Sequence, residues 1–171
     1  MIGMASFDQV AGSFWHSEIE HLRLPPLTDE MVADAEAQLR VTLPPDLIHL
    51  LRIQNGGVIA DGWDACPAEA NFYAEDHVPF DHLHGIGPAG QAETITLLDT
   101  PYLVQEWELP SPVVLLSGEG HYWLALDYRT CGPAGQPPVV WLDNEMDHEL
   151  TLAPTFRTFV ERLTAAASFD E

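Results

Sequence analysis

Three histidines and two aspartates crowd the stretch EDHVPFDHLHG: His77, His82 and His84 with Asp76 and Asp81. Imidazoles and carboxylates are the usual ligands of zinc and other divalent ions, so metal chemistry is the first possibility to weigh. The spacing fits neither HExxH nor a zinc finger, and Pro79 opposes the regular helix that would bring such ligands to one face. These histidines are expected in loops beside a sheet, with no metal. A second group, in DNEMDHE, places Asp143, Glu145 and Asp147 at alternate positions, as a calcium loop would. The sixth position is His148 instead of glycine and the twelfth is Pro154 instead of glutamate, so a solvated acidic hairpin is the simpler expectation.

Nucleophiles fare no better. The GEG at 118–120 is too short to cradle a phosphate and no Lys-Ser/Thr pair follows it. Ser117 lacks the preceding glycine of a nucleophile elbow. Cys66 has no histidine pattern to activate it. The chain is expected to be no enzyme, with no catalytic residue and no cofactor.

Aromatic residues are the remaining chemistry. In HYWLALDY (121–128) strand alternation puts His121, Trp123, Ala125 and Asp127 on one face, and Tyr122, Leu124, Leu126 and Tyr128 on the other. The second set reads as core under helices. The first mixes aromatic and polar groups as the centre of a protein interface does. Trp141 and Asp143 share a face of the next strand, and register decides whether it is the same face. The alternative for the first set is a second small core, covered by the loop at 61–81.

These residues need elements to position them. Phe7, Val10 and Phe14 predict a short helix within 5–17. Thr28 caps a helix over 29–40, with Asp29 and Glu30 at its positive end and Met31, Ala35 and Leu39 on its apolar face. In LPPDLIHLLRIQNGG, Pro45 and Asp46 open a helix whose buried face is Leu47, Leu50 and Leu51. Asn55, Gly56 and Gly57 can supply its left-handed C-cap. GVIAD (57–61) starts a strand, 61–81 is an acidic loop carrying Trp63, Phe72 and Tyr73, and 100–108 is a helix capped by Thr100. Strands follow over 112–117, 121–128 and 138–143, and APTFRTFVERL (153–163) is a packing helix. Strands in a run rather than alternating with helices make the class α+β: a mostly antiparallel twisted sheet, N-terminal helices and a C-terminal packing helix.

The chain of 171 residues is expected to form one domain. Asp and Glu number 27 against 6 Arg and Lys, a formal charge of −21. Phosphates of nucleic acid and anionic membrane surfaces would be repelled; a basic partner would be steered in. MIGMASFDQV lacks the basic and apolar regions of a secretory signal. With Cys66 and Cys131 isolated from each other, reduced thiols and a cytoplasmic location are expected.

The segment LTDEMVADAEAQLRVTLPPDLIHLLRIQNGG resembles the hallmark N-terminal segment of the SUKH superfamily, which holds the fungal Smi/Knr cell-wall regulators and many bacterial immunity proteins. Glu36, Leu39, Leu43, Pro44, Leu50, Asn55, Gly56 and Gly57 fall on its pattern. GHYWLALDY, VVWLD and a terminal helix with Phe156 and Phe159 follow in order. The similarity spans about 27–163, leaving 1–26 as an N-terminal helical extension. It implies a protein-binding domain rather than an enzyme, which in bacteria neutralises a toxin, often a nuclease, through a recessed surface on the sheet. The resulting expectation is an immunity protein that binds a basic toxin domain through acidic surface. The alternative is an intracellular scaffold or regulatory module with several partners. Trp63, Asp64, Glu119, His121, Trp123, Trp141, Asp143 and Glu145 are the expected partner-binding residues.

Overall fold

The computed structural model describes residues 5–91 and 93–170. Residues 1–4 of the expected N-terminal extension lie outside that range.

Helix α1 spans Phe7–Ala11, shorter than expected, with Ser6 Oγ accepting from the Gln9 amide as its cap. Gly12 ends it, and Trp15 bridges to Ile59 instead of continuing the helix. Phe7, Val10 and Phe14 are all buried, so this segment is packed into the main core. Helix α2 (Asp29–Leu39) begins where Thr28 accepts from the Met31 amide, and it ends at Arg40 in the left-handed conformation. Glu36 then reaches forward: its carboxylate accepts the Leu43 amide at 2.7 Å and fixes the corner into helix α3 (Pro45–Ile53). Leu47, Leu50 and Leu51 form the buried face of α3, as the spacing requires.

The NGG sequence does more than close α3. The residue at the C-cap is Gln54, in extended conformation. Asn55 is turned inward, where its side chain donates to the carbonyls of Pro25 and Ile86 and accepts the Ile86 amide, each at 2.8 Å. Gly56 has φ +87°, and a Cβ there would stand 2.7 Å from the Gly85 nitrogen, so only glycine fits.

Two small antiparallel pairs follow: β1 (Gly57–Val58) with β4 (His82–Leu83), and β2 (Ala65–Pro67) with β3 (His77–Pro79). The stretch read as a loop at 61–81 thus contains a hairpin. Thr96 and Asp99 form a reciprocal cap on a 3-10 turn (Leu97–Asp99) that runs into α4 (Thr100–Glu106). Thr100 is consequently inside the helix, and its hydroxyl accepts the Leu115 amide.

The main sheet is an antiparallel meander of β5 (Val113–Gly118), β6 (Tyr122–Asp127), β7 (Val139–Asp143) and β8 (His148–Ala153). Helix α5 (Phe156–Glu161), capped by Thr155, closes the fold and packs on α1 and α3. The architecture is α+β. One face of the sheet carries Val114, Leu116, Leu124, Leu126, Tyr128, Val139 and Trp141 into a large core with the helices. The other face carries Val113, Leu115, Trp123, Ala125, Val140 and Leu142 against Leu103 and Leu109. A second small core therefore exists, but α4 and the turn after it cover it; the 61–81 segment lies on the opposite face.

Candidate functional site

The candidate surface begins with Asn71. Its carboxamide oxygen accepts the amides of Tyr73 and Ala74, and its nitrogen donates to the carbonyls of Glu69 and His77. Such a side-chain-stapled turn holds the 69–77 loop in one shape. What the loop displays is Phe72 and Tyr73, still 50 % and 47 % exposed.

Beneath them stands a column of rings from the sheet. Tyr122 stacks on the buried Trp141 at 4.5 Å and 20°. Phe72 lies 6.3 Å from both, and Tyr73 meets Tyr122 edge-on at 6.2 Å. Tyr73 also meets His77 edge-on, and His77 stacks on Phe169 at 4.2 Å. Offset and edge-to-face contacts of this kind fix ring positions before any partner arrives.

Carboxylates rim the rings. Burial, then the charges of Asp81 and Glu119, push the Tyr122 phenol above its ordinary range, and the Glu119 amide donates to the Tyr122 carbonyl. The His82 ring bonds Asp81 at 2.6 Å and is the main cause holding that carboxyl below its ordinary value. Asp76 is bound to His77 at 2.7 Å. Exposed aromatic faces ringed by anions attract cations twice over, through charge and through the ring quadrupole.

At the adjoining end of the sheet the two hairpin turns are clamped together. The Asn144 amide donates to the His121 carbonyl, its side chain donates to the Gly120 carbonyl, and His121 meets Glu145 at 2.5 Å. Asp143 organises the turn by accepting the amides of Glu145 and Met146.

The eight residues expected to bind a partner are thus divided. Glu119, His121 and Glu145 are exposed together at this end, and Asp143 is the buried support of the turn. Trp123 and Trp141 are 1 % and 0 % exposed. Register places Leu124 opposite Trp141 and Trp123 opposite Leu142, so the two tryptophans fall on opposite faces of the sheet. Neither presents surface; Trp141 acts through the Tyr122 ring stacked on it. Trp63 and Asp64 serve elsewhere, the indole donating to Ser13 and the carboxylate accepting the Ala166 amide. They pin the two terminal segments down. Phe72, Tyr73, Tyr122, Asp76 and Asp81 were not among the eight. The signal for Phe72, Tyr73 and Asp76 is the pair of adjacent aromatics in NFYAED; Tyr122 and Asp81 lie outside that stretch.

The histidines are separated as well. His77 and His82 each bond the aspartate before them, while His84 is buried, its Nδ1 on the Leu115 carbonyl at 2.9 Å. Burial, with the nearby His82, pushes the His84 imidazole down to about 3. Among the described residues no three His, Cys, Asp or Glu side chains are grouped to hold a metal ion. Burial pushes the Cys66 thiol up to about 12, against a smaller opposing effect of Arg162.

Compared with known proteins, residues 26–162 match the SMI1 / KNR4 family (SUKH-1). The chain belongs to this family. No curated protein matches it. Within this SUKH-1 domain Glu36, Asn55 and Gly56 hold the corners of the helical frame. The 69–77 loop lies outside the segments that carry the resemblance, whereas His121, Tyr122 and Asp143 lie within GHYWLALDY and VVWLD. No helix among the described residues is long and apolar enough to cross a membrane.

Proposed function

We propose that this SUKH-1 domain is a non-enzymatic immunity protein, which neutralises a basic toxin, such as a nuclease, by direct binding. The reading rests on one observation: exposed Phe72 and Tyr73 are ordered against half-buried Tyr122, with Asp76 and Asp81 bonded to the neighbouring His77 and His82 and exposed Glu119 bonded through its amide to Tyr122. Interface centres are enriched in tyrosine, tryptophan and phenylalanine, and rigid rings lose little entropy when they are covered. A nuclease cleft presents cations to phosphates, and this rim presents carboxylates in their place. The formal charge of −21 adds long-range attraction. Attraction of that kind raises association rates towards ~10⁸ M⁻¹s⁻¹ at low salt. His121 with Glu145 extends the acidic rim along the sheet end.

Affinity capture tests the reading. Tagged protein is passed through lysate and secreted material of its own organism, at low and at high salt. One basic protein retained at equal stoichiometry, and toxic when expressed without this chain, is the expected result. Several sub-stoichiometric proteins, with no protection from any of them, would replace it with the scaffold reading.

A further inference from the structure

The two edges of the main sheet are treated differently. Along β5 the outward groups are occupied: Leu116 accepts the His84 amide, Leu115 bonds Thr100 and His84, and the Gly118 amide donates to His82. Along β8 they are not. The Asp127 amide donates to Pro138 and the Asn144 amide to His121, so the even-numbered residues of β7 turn towards β6. The odd ones, Val139, Trp141 and Asp143, must then turn towards β8. Their partners there include Leu150 and His148, which leaves the amides and carbonyls of Glu149 and Thr151 pointing away from the sheet. Among the described residues no other segment bonds these groups, and β8 pairs with β7 alone.

An open edge is a template for another strand, and proteins ordinarily block it. Here a groove of about 650 Å³ runs along the edge, between residues 149–152 and the β2–β3 hairpin. Arg162 stops one end by donating to the carbonyls of Leu152 and Pro67. Exposed Glu69 and Asp76 line the facing wall. That wall belongs to the same loop that displays Phe72 and Tyr73.

We propose that the β8 edge is a strand-addition site, at which an extended basic segment of the protein partner pairs with Glu149 and Thr151 while its cations meet Glu69 and Asp76. The proposal rests on the protein-binding reading above and adds the partner's conformation to it. A second copy of this chain is disfavoured as occupant, because two −21 surfaces would repel.

Short random peptides displayed on phage and selected against the full chain supply the probe. The expected winners carry excess Lys and Arg and lack proline in their centre. Thr151→Pro removes an outward amide without removing a bond to β7, and it should weaken these peptides by about tenfold or more. Glu69→Lys should weaken them as well. If Thr151→Pro lowers the melting temperature, N-methylation of the peptide gives the same test on the ligand. Methyl groups on alternate amides should abolish binding, and on the intervening amides should spare it. Basic peptides that bind Thr151→Pro as tightly as the parent would overturn the edge assignment and leave the protein-binding reading standing. A failure to enrich any basic peptide would overturn it too, as would a dimer that Thr151→Pro dissociates.

Discussion

Replacing Asn55 by alanine removes the staple between the end of α3, the segment at Pro25 and the turn at Ile86. Asn55 is 2 % exposed, and its side chain makes three hydrogen bonds of 2.8 Å. The Pro25 carbonyl lies near solvent and can turn to water, so its loss is small. The Ile86 amide and carbonyl are buried and would keep no partner for these bonds, at about 1–3 kcal/mol each. The expected loss is about 3–4 kcal/mol, which for a chain of this size lowers Tm by ~10 °C. Urea unfolding followed by tryptophan fluorescence gives the free energy, and an unchanged slope shows that the same surface is exposed. Asn55→Asp sharpens the test. Its ionised carboxylate keeps the Ile86 amide but confronts two carbonyls, so it should be worse than alanine at neutral pH. Burial would raise that carboxyl in the folded protein, so the folded state binds the extra proton and the deficit shrinks as the pH falls. An Asn55→Ala loss under about 1 kcal/mol would refute the reasoning and return NGG to the role of a helix terminator.

Three further outcomes follow from the buried groups. His84 is held neutral down to about 3, so between that value and its ordinary pKa the unfolded chain carries a proton the folded chain refuses. Stability should therefore fall as the pH drops below about 6.5, by up to ~1.4 kcal/mol per unit, and the fall measured against His84→Gln should vanish in the variant. Cys66 is buried with its thiol pushed up to about 12, whereas Cys131 is half-buried; iodoacetamide followed by mass spectrometry should label Cys131 first and Cys66 only on unfolding. Gly118→Ala would place a Cβ 2.5 Å from the Trp123 ring at φ +153°, and chemical denaturation should show a loss of about 2 kcal/mol or more.

How much of this was legible in the sequence follows from the range of each signal. Period-two alternation is local, and it sorted Tyr122, Leu124 and Leu126 from Trp123 and Ala125 correctly. Register between strands is a tertiary property, so no local pattern reveals that Trp123 and Trp141 lie on opposite faces of the sheet. Strand β8 was readable in Glu149-Leu150-Thr151-Leu152, an alternating run, but Glu149 continues the acidic turn before it and hid the edge. Strands β2 and β3 are three residues each, too short for any period to show. Asn55 looked like a cap because caps and buried staples use the same residue type. The aromatic surface escaped assignment because Phe72 and Tyr73 sit in an irregular loop, and their presentation depends on the Asn71 carboxamide rather than on any periodic pattern.

Association kinetics with the captured partner test the central claim most directly. The rate constant would be measured against ionic strength for the parent chain and for Asp81→Lys with Glu119→Lys. The account predicts a steep decline with salt for the parent, and for the double variant a low-salt rate about tenfold lower with a flatter dependence. Parent and variant curves that coincide would place the binding surface away from the aromatic cluster, and a flat dependence in both would leave the charge of −21 as a matter of solubility.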